Sequence, residues 1–164
     1  MNKLTGMAVG LLLLTGGLAG AEGLLQTKLL SLDMARTIAD AAIEACRKDG
    51  YQVSVVVVDR SGRTLVLMRD VFSNHYFSEL AQGKANAVVL SGVSSAELKV
   101  NRSDMVAELN LLDGVMVLRG GLPIQVAGSM IGAVGVSGAP GGDKDEVCAR
   151  AGVDAVQEEL EFAE

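Results

Sequence analysis

The single histidine of this chain, His75, sits in the run Asp70-Val71-Phe72-Ser73-Asn74-His75-Tyr76-Phe77. Five of the 164 residues are aromatic, and three of them, Phe72, Tyr76 and Phe77, share that run. An imidazole or a phenolate can ligate haem iron, and a haem also needs apolar walls and cations for its propionates. By residue type, His75 is the proposed axial ligand to the iron, with Tyr76 as the competing ligand. Phe72 and Phe77 would supply wall. Lys84 and Arg69 are the cations within reach of a carboxylate. A histidine at a helix start, with aromatic neighbours packed under a hairpin end, fits the same spacing. Spacing alone leaves both readings open.

Other chemistries fit the residues less well. The glycines Gly132, Gly135 and Gly138 recur every third residue, which is neither G-x-G-x-x-G nor a G-K-[ST] loop. The helix expected after them opens with Asp143, Asp145 and Glu146, which suit a helix N-terminus but would repel a phosphate there. Gly132 and Gly135 therefore read as strand positions where a helix or a ligand comes close. "GVSGA" at Gly135–Ala139 is one residue short of a G-x-S-x-G elbow, and His75 precedes Ser137, against the order of elbow-bearing hydrolases. One histidine and two distant cysteines make no zinc cluster. C-x-x-C-H, the covalent haem attachment motif, is absent.

These residues need elements to hold them. Ser31 is a plausible N-cap for a helix over 32–49, with Gly50 as its stop. Ala35, Ile38, Ala39, Ala42, Ile43 and Cys46 form its apolar stripe. Val53–Val58 and Thr64–Arg69 read as a hairpin through Asp59-Arg60-Ser61-Gly62. The first of these strands is continuously apolar, so both of its faces should be covered. A helix is expected over 73–90, with Phe77, Leu80, Ala81, Ala85 and Val88 as its stripe. Lys84 falls inside that stripe, where a charge is costly unless it pairs or lines a cavity. Residues 94–110 read as short helix and loop. Val115–Leu118, Leu122–Val126 and 129–138 read as three further strands, with Ala127-Gly128 as a tight turn, and a last helix spans 143–162. Strand pairs joined by short turns give an α+β domain: an antiparallel sheet of about five strands flanked by helices, with the N- and C-terminal helices packed together.

The chain start has a different character. Lys3 precedes an apolar run over 7–14 and small residues over 16–21, the pattern of a secretory signal peptide over 1–21. The run is too short for a comfortable membrane span. A single domain is then expected over 22–164, in the periplasm or outside the cell, without stable membrane insertion after cleavage. Removing residues 1–21 takes away Lys3 and no acid, so the net charge moves from −6 to −7. An acidic domain repels phosphates, so no nucleic-acid partner is expected. Export would also let Cys46 and Cys148 form a disulfide, if the helices that carry them pack antiparallel. Two buried thiols acting as small hydrophobes are the alternative.

The stretches "VSVVVVDRSGRTLVLMRD", "AQGKA" and "GGLPIQVAGSMIGAVGVSGAPGGDKDEVCARAGVDA" resemble the GlcG/HbpS, or haem-degrading domain, family. The resemblance runs from about Leu32 to Val156. Its most specific parts are Gly120–Ile124, Ile131–Ala139 and Asp145–Ala149. It implies an α+β fold, homo-oligomers and a link to haem, and Lys84-Ala85 matches the family's "KA" pair. Ala127-Gly128 replaces the usual Asp-Gly or Asn-Gly. The resulting expectation is an exported protein that binds haem or a related tetrapyrrole and assists its storage, sensing or degradation, with catalysis unassigned. The alternative is an oligomeric structural or sensory module that binds a small organic acid or a protein partner, without haem.

Overall fold

The computed structural model describes residue 23 and residues 26–162. The segment read as a signal peptide lies outside the described residues. Ser31 caps α1 (Leu32–Lys48), its Oγ accepting from the Met34 N–H at 3.1 Å. All six residues of the expected stripe, Ala35 to Cys46, are buried. β1 (Ser54–Asp59) and β2 (Thr64–Arg69) form the hairpin. Asp59 holds its turn by accepting the Ser61 and Arg63 N–H groups at 2.7 and 3.0 Å. Asn74 caps α2 (His75–Ser91), and α3 (Ser95–Asn101) and α4 (Val106–Leu109) follow. β3 (Gly121–Val126) and β4 (Ser129–Ser137) form the second hairpin. The chain then enters α5 (Gly142–Asp154) and α6 (Gln157–Glu161).

The sheet is antiparallel, in the order β2-β1-β4-β3. α1 and α5 cover one face and α2 the other. β1 explains its own apolar run: Val55 and Val57 enter the core under α1 and α5, while Val56 and Val58 pack with Ala81, Ala85 and Val88 of α2. Bare backbone sets the layer spacing. A β-carbon at Gly135 would collide with the Ala81 carbonyl oxygen of α2, and one at Gly152 would stand 2.6 Å from the Ile38 carbonyl oxygen of α1. Both glycines are positions of close helix approach, and α1 packs on α5 as expected.

Two elements differ from the sequence reading. Val115–Leu118 joins no ladder, so the sheet has four strands, against about five expected. Its Met116 N–H donates instead to the Gly83 carbonyl of α2 at 3.0 Å, and the Leu118 N–H turns back onto the Met116 carbonyl. The last helix is broken between Asp154 and Gln157 into α5 and α6.

The β3–β4 turn carries a local conflict. Ala127 has φ 47° and Gly128 has φ 76°, the two positive values that a two-residue type I′ turn needs. Alanine adopts that region at a cost, whereas asparagine tolerates it. Ala127→Asn is therefore expected to raise stability by on the order of 1 kcal/mol. Urea unfolding of the two proteins, compared by their midpoints, checks this.

Candidate functional site

Asp70, the first residue of the aromatic run, is buried and pinned. Its carboxylate accepts Arg47 Nη2 at 2.5 Å, Arg47 Nε at 2.9 Å and the Val53 N–H at 3.2 Å. This ties the end of β2 to the end of α1. The Asp70 carbonyl accepts the Ser73 N–H at 3.0 Å, which closes a turn. Ser73 Oγ meets Ser54 Oγ at 2.9 Å below the turn, and Ser78 Oγ donates to Ser54 Oγ at 3.1 Å. Arg69 Nη1 donates to the Ser73 carbonyl at 2.6 Å. Asn74 Oδ1 accepts the Tyr76 N–H at 3.0 Å and starts α2.

So tied a turn presents its apolar side chains to solvent. Phe72 is 87% exposed and Tyr76 65% exposed. The His75 side chain is 71% exposed. The His75 and Tyr76 rings stand 4.9 Å apart at a 48° tilt. His75 Nε2 lies 3.3 Å from Glu79 Oε1, one turn further along α2. Phe77 alone of the group is half-buried. The aromatics of this run are thus not tucked under the hairpin: three rings of four stand on the surface, Phe72 on the hydrogen-bonded turn and His75 and Tyr76 at the start of α2.

Lys84 is elsewhere. At nine residues from His75, it projects from the opposite side of α2. It is 3% exposed, and its Nζ donates to Asp145 Oδ2 at 2.7 Å and to the Val136 carbonyl at 2.8 Å. Asp145 Oδ1 accepts the Ala139 N–H at 3.0 Å. Burial pushes the Lys84 ammonium below its ordinary pKa, against the pull of the Asp145 charge. Burial likewise pushes the Asp145 carboxyl up, against the Lys84 charge and its hydrogen bonds. The expected role of Lys84 as a propionate partner therefore has no place at this cluster; the residue clamps α2 to β4 and α5. Arg69 stands beside the cluster, bonded to the main chain of the turn. The fold thus brings together Phe72, His75, Tyr76 and Arg69, and it separates Lys84 from them.

The sequence reading missed a cleft of about 420 Å³ beside Tyr76. One wall is the face of α2 that carries Tyr76, Glu79, Leu80 and Gly83. The other wall comes from residues 110–116, including Leu111 and Leu112. Nothing in that irregular stretch signals a wall, because its leucines have neither helical nor strand spacing.

Among the described residues there is no group of three or more His, Cys, Asp or Glu side chains that could hold a metal ion. None of the described helices is long and apolar enough to cross a membrane. A four-stranded antiparallel sheet between helices, with an imidazole and a phenol exposed in the first turn of α2, defines a small α+β domain.

Known proteins place it more narrowly. Residues 30–154 match the family model described as "Haem degrading protein HbpS-like", and the chain belongs to that HbpS-like family. It is 33% identical over 112 residues to Protein GlcG of Escherichia coli (strain K12), an alignment that covers 66% of this chain and 81% of GlcG. The crystal structure of a double mutant of Streptomyces reticuli HbpS superposes with a TM-score of 0.76 at 34% identity, covering 92% of this chain and 99% of that one. A structure described as a PduOC:Heme complex matches with a TM-score of 0.69 at 28% identity, over 78% of this chain and 95% of that one.

Proposed function

We propose that this chain is an exported haem-binding protein, with His75 as the axial ligand to the iron and Tyr76 as its competitor. The observation that carries the reading is the exposed His75–Tyr76 ring pair at the start of α2, in a member of a family described as haem-degrading. The PduOC:Heme complex among its structural relatives supports the same ligand. The residues fit the group. An accessible imidazole and phenol, with the exposed Phe72 three residues before His75 in the chain, offer a porphyrin both a ligand and apolar surface. When bound, the iron would supply any redox chemistry. The chain's own residues would hold and orient the porphyrin, and Arg69 is the cation nearest to that face in sequence. Storage, sensing and degradation each start from this binding step.

Export is supported by the segment over 1–21 and by a Cys46–Cys148 disulfide, a bond that persists in oxidising compartments. The small-residue helices and exposed leucines suit a homo-oligomer, as is common for soluble domains.

Haemin titration of the protein from residue 22 onward, followed by Soret absorbance, tests the reading. A saturable, shifted band is expected, and His75→Ala should weaken binding by about tenfold or more, the equivalent of about 1.4 kcal/mol. Loss in Tyr76→Ala with His75→Ala unchanged would move the ligand one residue along. Binding no stronger than that of an unrelated acidic protein would sink the haem reading. A change in assembly on adding a small organic acid would then favour an oligomeric sensory module.

A further inference from the structure

We infer that the porphyrin is gripped by its apolar edge in the cleft between α2 and residues 110–116, with both propionates left outside. This rests on the haem reading above and assigns the orientation that the reading leaves open.

The cleft is a built slot. Tyr76, Glu79, Leu80 and Gly83 recur at spacings of three, four and seven, so they share one face of α2. Tyr76 is the one residue that belongs both to the displayed ring pair and to the cleft wall. The facing loop is fixed by three hydrogen bonds. The Met116 N–H donates to the Gly83 carbonyl at 3.0 Å, Asn86 Nδ2 donates to the Gly114 carbonyl at 2.8 Å, and the Val117 N–H donates to Asn110 Oδ1 at 2.8 Å. Gly83 lets the two walls meet, because a β-carbon there would stand 2.7 Å from Met116 Cβ. A slot whose walls meet at Gly83 and Met116 suits the edge of a flat ligand.

Its chemistry sets the orientation. Leu111 is 82% exposed and Leu112 49% exposed, apolar surface that costs free energy while it faces water. The volume of about 420 Å³ falls within the roughly 300–1,000 Å³ usual for small-molecule sites. The charged residues among the described lining are Glu79 and Asp113, both acids, and no cation joins them. Two propionates entering here would meet like charge as well as losing water. The methyl and vinyl edge of a porphyrin meets neither penalty. With that edge inside, Tyr76 of the cleft wall and the His75 ring 4.9 Å from it are the side chains that would hold the iron.

The test titrates haemin, haemin dimethyl ester and metal-free protoporphyrin into the wild type and the variants Leu111→Asp, Leu112→Asp and Asp113→Asn. Both leucines are exposed, so the variants should keep the wild-type circular dichroism and melting temperature. Leu111→Asp and Leu112→Asp are expected to weaken haemin and metal-free protoporphyrin alike, by about tenfold each. Asp113→Asn should leave haemin affinity within about twofold, and the ester should bind much as haemin does, because the propionates stay in water. Wild-type affinity in both leucine variants, with the Soret band still lost in His75→Ala or Tyr76→Ala, would overturn the cleft and leave the haem reading standing. Tighter haemin binding by several-fold in Asp113→Asn, with the ester preferred over haemin, would place the propionates inside and overturn the orientation. Failure of the wild type to bind any of the three would sink the haem reading and the cleft together.

Discussion

Replacing Lys84 with methionine is expected to cost about 3–5 kcal/mol, a large part of the roughly 5–15 kcal/mol that holds a domain of this kind folded. The cost does not come from the attraction lost. It comes from Asp145, which stays buried with its hydrogen bond from Ala139 and no cation beside it. Burial already pushes the Asp145 carboxyl above its ordinary pKa with Lys84 present, and removing the ammonium pushes it further. A group whose folded pKa is raised gives stability that is present in acid and lost as pH rises through the folded value. The gap between wild type and Lys84→Met should therefore be widest near neutral pH and narrow as pH falls toward about 4, the ordinary carboxylate range. Adding Asp145→Asn removes the buried charge and keeps an oxygen for the Ala139 N–H, so the double variant should recover at least half of the loss. Arg36→Ala is the control. Its partner Asp33 lies 3.9 Å away and both side chains are exposed, so a change of about 0–1 kcal/mol is expected. Urea midpoints at several pH values measure all four proteins. A Lys84→Met variant as stable as the wild type at pH 7 would show that the pair does not hold the layers together.

That pair also shows where sequence reading works and where it stops. Lys84 stood out because a charge in an apolar helical stripe needs an account. Its partner did not stand out: Asp145 lies 61 residues further on, and an acid in the first turn of a helix already has a local reason to be there. Local signals transferred well. Ser31 opens α1, every residue of the stripe from Ala35 to Cys46 is buried, and the unbroken valines of β1 are covered on both faces. Each of these depends on residues within a turn or a strand of one another. Val115–Leu118 failed for the opposite reason. Its apolar residues fit a strand, but its Met116 N–H went to the Gly83 carbonyl of a helix and its Val117 N–H to the Asn110 side chain, which no local pattern records. The candidate site divides in the same way. The clustering of Phe72, His75 and Tyr76 is visible in eight residues. Their exposure is not, because it follows from Asp70 being drawn onto Arg47 and Val53, partners 23 and 17 residues away. The cleft was hidden further, since its second wall comes from an irregular loop ordered by turn hydrogen bonds and by bonds to α2 that no periodic pattern records.

Removing the bridge between α1 and α5 should cost about as much as breaking the buried ion pair, by a different route. Cys46 and Cys148 form a disulfide with Cα atoms 5.4 Å apart, 102 residues apart in sequence. In the chain-entropy account, closing a loop of about 100 residues withdraws about 4.7 kcal/mol of freedom from the unfolded chain. Cys46→Ala with Cys148→Ala is the variant of choice, because both sites are buried among small residues and alanine introduces no hydroxyl that would need a partner. A loss of about 4–5 kcal/mol is expected, which for a domain of this size lowers the melting temperature by on the order of 10 °C or more. The route predicts a second observable. If the bridge acts on the unfolded state, the unbridged chain unfolds to a more open ensemble and its urea m-value rises. If it acted by holding α1 against α5 in the folded state, the midpoint would fall with the m-value unchanged. Packing argues against that second route, since the Ala42 and Ile38 side chains of α1 already meet the bare backbone of Gly152. The folded layers are therefore held in register without the sulfurs, and a midpoint within about 1 °C of the wild type would show that the unfolded chain is not loosened by their loss.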